Sequence, residues 1–168
     1  MLLPALASLL DRDLRALTRE VEAYPDERQL WQPVPGMANT AGTLALHLAG
    51  NVRHYVGARL GDTGYVRDRA AEFSRRDVPR EEILAEIEAA RSEVARTVAA
   101  VEGRKLPTWF PEVVVELHVG TEEFLLHLLT HFGYHLGQID THRRIVTGHA
   151  SNVGAIRVAE LKSARPAR

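Results

Sequence analysis

Apolar residues recur at three- or four-residue steps in four stretches of this chain, and that period constrains the fold more than any other feature. Leu3, Leu6, Leu10, Leu14, Leu17 and Val21 form the first stripe, with Asp11, Arg12, Arg15, Arg19, Glu20 and Glu22 largely on other faces. The spacing predicts a helix from about Leu2 to Tyr24, ended by Pro25. A loop holding Trp31, Pro33, Pro35 and Gly36 leads to a second helix, capped by Asn39 or Thr40 and broken after Leu60 by Gly61, Asp62 and Gly64. Pro79, with Glu81 and Glu82 in the first turn, opens a third, whose apolar side is Ile83, Leu84, Ile87, Val94, Val98 and Val101. Gly103 ends it. Thr121, Glu122 and Glu123 open the last and strongest helix, which runs to Thr147 and Gly148.

Four amphipathic helices joined by unequal loops predict an all-α fold, a four-helix bundle. At 168 residues the chain suits a single domain over 1–168, with the bundle at about 2–148 and 149–168 a tail that lies along the surface or is disordered. Tyr65 to Val78 is polar and charged, an irregular connection with at most a turn of helix. Its runs Arg67-Asp68-Arg69 and Arg75-Arg76-Asp77 mix signs and read as a solvated loop. Lys105 to Val119 carries Pro107, Trp109, Phe110, Pro111 and the β-branched run Val113-Val114-Val115, which predicts a short hairpin or extended crossover. Trp31, Trp109 and Phe110 are expected to pack over the bundle core.

The leucine-rich N-terminus lacks a basic region before it, and no apolar run approaches the ~20 residues that a membrane span needs. A cytoplasmic protein with no membrane partner is expected. Lys plus Arg number 21 and Asp plus Glu 22, so no broad electrostatic footprint for nucleic acid is expected.

The chemistry is bounded by another count. The chain has no cysteine and eight histidines, five of them between His118 and His142. Disulfides, a cysteine nucleophile and thiolate zinc fingers are excluded, and imidazole remains as the metal-binding nitrogen present in quantity. On the last helix, with His127 at zero, His131 falls near about 40°, His135 near about 80°, Gln138 near about 20° and His142 near about 60°. This stripe borders the apolar face, so it can point into the bundle. Buried imidazoles need hydrogen bonds or a ligand for their ring nitrogens, and histidines at i and i+4 can converge on one cation. A further ligand must come from another helix. His47 shares a face with Leu44, Asn51 and Tyr55, and by itself reads more readily as a core histidine bonded to a carbonyl than as a ligand. His142, Arg143 and Arg144 read as a solvated, cationic helix end. His54 reads as exposed or at a pocket mouth, and Asp13 as too uncertain to place in the site. There is no phosphate-binding glycine loop and no serine nucleophile elbow.

Two segments carry a resemblance. Thr40-Ala41-Gly42-Thr43-Leu44-Ala45-Leu46-His47-Leu48-Ala49-Gly50-Asn51-Val52 is similar to the "HLAG" helix of the DinB-like (YfiT-like) superfamily, and His131-Phe132-Gly133-Tyr134-His135-Leu136-Gly137-Gln138 resembles its closing motif. The resemblance covers about residues 1–148. It implies a bundle, often a homodimer, with a divalent metal, zinc or nickel, on His47, His131 and His135. Gln138 matches a family glutamine that could bond a ligand ring or bound water, His127 matches a histidine outside the ligand set that could move a proton, and Asn51 is a further candidate for such a supporting or proton-transfer role. Three neutral imidazoles leave a coordination position open for a small-molecule substrate. The resemblance therefore implies an enzyme that uses a low-molecular-weight thiol of bacillithiol or mycothiol type as co-substrate. A metal-dependent hydrolase and a non-enzymatic, stress-associated metal-binding bundle are the alternatives.

Overall fold

The computed structural model describes residues 2–101 and 103–167. The described chain is all-helical, with α1 at Leu2–Glu22, α2 at Ala41–Val52, α3 at Arg69–Ser74, α4 at Arg80–Val101 and α5 at Thr121–Thr147. A π-helical stretch, Arg53–Ala58, and a last turn, Arg59–Gly61, continue α2. Thr40 is its cap, accepting from the Thr43 N–H at 3.4 Å. Among the described residues no helix is long and apolar enough to cross a membrane.

The four long helices pack as a bundle in which α1 and α2 each lie against both α4 and α5. The apolar stripe of α1 explains its place: Leu6, Leu10, Leu14, Leu17 and Val21 are all buried. They meet Ile83, Ile87 and Val94 of α4 and Leu125, Leu128, Phe132, Leu136 and Ile139 of α5 in one core. Gly42 is needed for close approach, since a Cβ there would stand 2.7 Å from Trp31, whose indole N–H donates to the Val78 carbonyl at 3.2 Å. Trp31 and Phe110 are buried as expected, but Trp109 is 61% exposed.

The segment before α5 forms an extended crossover with isolated bridges, Trp109 to Gly120 and Val114 to Leu117, and no strand among the described residues. Val115 and Glu116 turn the chain at φ 48° and 63°. Positive φ at both central residues is the backbone that a tight two-residue hairpin turn uses, and the pairing across it is a single bridge.

Two expectations for the end of α5 fail. His142 is fully buried: the Tyr24 hydroxyl donates to its Nδ1 at 2.8 Å and its Nε2–H donates to the Gln32 carbonyl at 2.8 Å. Burial holds it below the ordinary histidine range, so it is a neutral core group and not a surface cation. Arg143 is also buried, 1% exposed, and donates to Glu20 at 2.6 Å and Asp140 at 2.8 Å. Arg144 alone remains exposed, paired with Asp140. Helical angle places residues on a face but does not say what covers it. Here α1 and the tail do the covering.

The tail lies along the surface. Arg143 donates to the carbonyls of His149 and Ser151, and Arg19 to those of Val153 and Gly154. Further along, the Lys162 N–H donates to Ser8 at 3.0 Å. Arg143→Met should cost about 3–5 kcal/mol in chemical unfolding, because it strands the Glu20 carboxylate in the core. Glu20→Met combined with Arg143→Met should recover most of that loss. Additive costs in the double variant would show that the pair is not coupled.

Candidate metal centre

α2 and α5 run antiparallel where they meet, so Leu44 faces Gln138, His47 faces His131 and His135, and Tyr55 faces Phe124. The side-chain donor atoms of His47, His131 and His135 all lie within 4.8 Å of one another. His47 is buried, and His131 and His135 are half-buried. The His47 and His131 Nε2 atoms are 3.3 Å apart.

Each ring's far nitrogen bears on its orientation. Glu72 of α3 accepts from His47 Nδ1 at 3.0 Å, which leaves the Nε2 lone pair facing His131. Gln138 Oε1 is 2.6 Å from His135 Nδ1, so that ring also keeps Nε2 free. His131 Nδ1 is buried without a hydrogen-bond partner. With the His131 proton on Nδ1, the two Nε2 lone pairs face each other, an arrangement that a cation between them would stabilise. Imidazole nitrogens at ~2.0–2.1 Å from a tetrahedral zinc stand ~3.3 Å apart, so the donor set fits a divalent metal. Burial, followed by the nearby His135, His47, His127 and Arg67, holds His131 down to about 4. Burial also lowers His135, against the opposing pull of Gln138. Both are therefore neutral near pH 7, the form that binds metal.

No motif in the sequence singles out Glu72, and Arg67, expected in a solvated loop, is instead buried against it. Arg67 donates to Glu72 Oε1 at 2.7 Å and Oε2 at 2.8 Å, and both side chains are 7% exposed. Burial pushes the Glu72 carboxyl up, but the hydrogen bonds from Arg67 and His47 outweigh it and the net shift is down. Asp68 caps α3, accepting from the Ala71 N–H at 2.9 Å. Phe73 packs on the His47 ring at 4.8 Å between centroids. The pattern of a capping aspartate, a carboxylate four residues later and a lone phenylalanine was the available signal. Gly50 gives these groups their room: a Cβ there would collide with the Glu72 carboxylate.

The remaining candidates fall around the triad. Gln138 bonds the His135 ring. His127 is exposed, with its ring 6.1 Å from that of His131. Asn51 is buried on the His47 face but is bonded to none of the three rings. Asp13 is buried on α1 against Arg12 and outside the triad. His54 is half-buried and bonds Glu112 of the crossover at 2.9 Å; Arg59 bonds the same carboxylate. The π-helical stretch re-aims this end of α2. Tyr55 there packs edge-on to Phe124 and Phe110, and Arg67 lies over its ring.

Comparison with family models matches residues 5–148 to the mycothiol-S-transferase family. The chain belongs to that family. The mycothiol-S-transferase family lies within the DinB-like, metal-dependent superfamily, in agreement with the two motifs. No match was found among curated proteins or solved structures.

Glu72→Gln and Gly50→Ala should each weaken zinc binding by about 10- to 100-fold, measured by chelator competition, because each loosens the carboxylate that orients His47. Unchanged affinity in both would remove Glu72 from the centre. The metal-free chain should also be less stable in acid. Unfolded imidazoles titrate near ~6.5, whereas burial holds His131, His135 and His142 lower in the folded chain. The unfolded state thus takes up protons first. Stability is complete above about pH 6.5 and is lost as pH falls toward about 4, read as a falling urea midpoint.

Proposed function

We propose that this chain is a metal-dependent transferase that joins a low-molecular-weight thiol of mycothiol type to an electrophile. What carries the reading is the three-imidazole centre, half-open on the side of His131 and His135, in a member of the mycothiol-S-transferase family. His47, His131 and His135 would hold the ion, zinc or nickel, which when bound favours the thiolate form of a thiol that reaches it.

The chain's own residues supply the rest. Glu72 and Gln138 hold two rings in the metal-binding tautomer, and Arg67 keeps Glu72 ionised. With no cysteine in the chain, the reacting sulfur arrives with the substrate. His127, exposed and one turn from His131, is placed to pass the thiol proton to water. A sulfur–carbon bond forms, and the bond from that carbon to its leaving group breaks with the electron pair going to the leaving group.

Tag-free, zinc-loaded protein should conjugate mycothiol to 1-chloro-2,4-dinitrobenzene with release of chloride. Chelator, or His47→Ala with His131→Ala, should abolish both turnover and metal content. Turnover of activated esters without thiol, and none with it, would identify a hydrolase. Silence in both assays with metal retained would identify a binding bundle.

A further inference from the structure

Joining two molecules at one centre requires two adjoining subsites, and the two flanks of the imidazole triad differ in chemistry. Toward the N-terminal end of α5 the flank is charged and hydrogen-bonded. Arg67 lies over Tyr55, and His54 and Arg59 both bond Glu112. Toward the C-terminal end of α5 lies a groove of about 530 Å³ between that helix and the loop that precedes α2. Apolar Val34, Met37, Leu44 and Tyr134 line it beside the uncharged polar Asn39, Gln138 and Thr141, and no charged or histidine side chain does so among the described residues.

The groove adjoins the centre through shared and neighbouring residues. Leu44 is one helical turn before His47 on α2, and Gln138, on the groove wall, bonds His135 at 2.6 Å. The Tyr134 ring, 66% exposed, stands 5.2 Å from the His135 ring. Since the Gln138 carbonyl accepts from His135 Nδ1–H, its amide N–H groups remain as donors on the wall. The volume suits a small molecule, and an uncharged wall disfavours a charged one by desolvation.

We propose that this groove holds the electrophile, and that the occupant is an uncharged, largely apolar molecule carrying a hydrogen-bond acceptor for the Gln138 amide. The assignment of the occupant as electrophile rests on the transferase reading; the groove's preference for uncharged, apolar molecules does not.

Gly137 provides the test. No atom lies within 4 Å of the position its Cβ would take, so Gly137→Leu fits the fold, projects into the groove and removes a glycine from a helix interior. Thr141→Leu, one turn on in the same wall, is the second variant should the first lose helicity. The probe is 2,4-dinitrotoluene, which lacks the leaving group, titrated by calorimetry into zinc-loaded protein without thiol. Wild type should bind it, and the variants should bind it about tenfold or more weakly at unchanged zinc content and with a melting temperature no lower than wild type. In turnover, the KM for 1-chloro-2,4-dinitrobenzene should rise while that for mycothiol stays level. Equal probe binding by wild type and variants overturns the proposal. So does a rise in the thiol KM in place of the electrophile KM, or a wild-type dimer that buries the groove and that Gly137→Leu dissociates. Probe binding lost in the variants, from a wild type that never conjugates thiol, would overturn the transferase reading and leave the uncharged groove standing.

Discussion

A carboxylate taken out of water is stable only when its charge is answered, and Glu72 is answered from two sides. Arg67 meets both oxygens and the His47 N–H meets one of them. The arrangement is costly to bury and costlier to break, because removal of any one member leaves a charge or a donor stranded. It also does chemical work. A donor bond to an ionised acceptor settles which nitrogen of His47 carries the proton, and hence which one faces His131 and His135. The loop between α2 and α4, short α3 and the missing side chain at Gly50 are all shaped by the need to bring that carboxylate to that ring.

The C-terminal end of α5 shows the same physics away from the histidine triad. Arg143, Glu20 and Asp140 form a buried charge cluster, with His142 and Tyr24 beside it. Arg143 spends its remaining donors on tail carbonyls, and Arg19 does likewise. The tail is therefore held by backbone recognition rather than by apolar burial. This accounts for a tail of low hydrophobicity lying ordered against α1. One helix thus carries histidines of two kinds: His131 and His135, whose donor nitrogens converge with that of His47, and His142, with both nitrogens already satisfied by Tyr24 and Gln32.

Much of this was legible in the chain itself. Apolar period located the long helices, Thr40 and Gly148 mark ends as their cap chemistry predicts, and His47, His131, His135 and Gln138 meet as the paired motifs imply. Arg67, Glu72, His142 and Arg143 were misread or missed for a single reason. Each is a polar residue in a polar neighbourhood, and such residues look solvated until a distant segment covers them. Trp109 shows the converse, an aromatic ring left exposed because its neighbour Phe110 takes the inward side of an extended segment, where successive side chains point to opposite faces.

Helical period and the i, i+4 spacing of histidines are local properties, since they depend on 3.6 residues per turn and on nothing remote. From them follow the all-α class, the helix positions and the face on which His131 and His135 stand. The lack of cysteine likewise settles, without any fold, that a reacting sulfur must come from outside the chain. Burial is different, because it is a relation between segments far apart in sequence. Which carboxylate orients His47, which histidine of the stripe is sealed in the core, and which flank of the centre is free of charge depend on how α1, α3, the crossover and the tail close over α2 and α5. Those contacts set the desolvation and hydrogen bonding that give each of these side chains its chemistry.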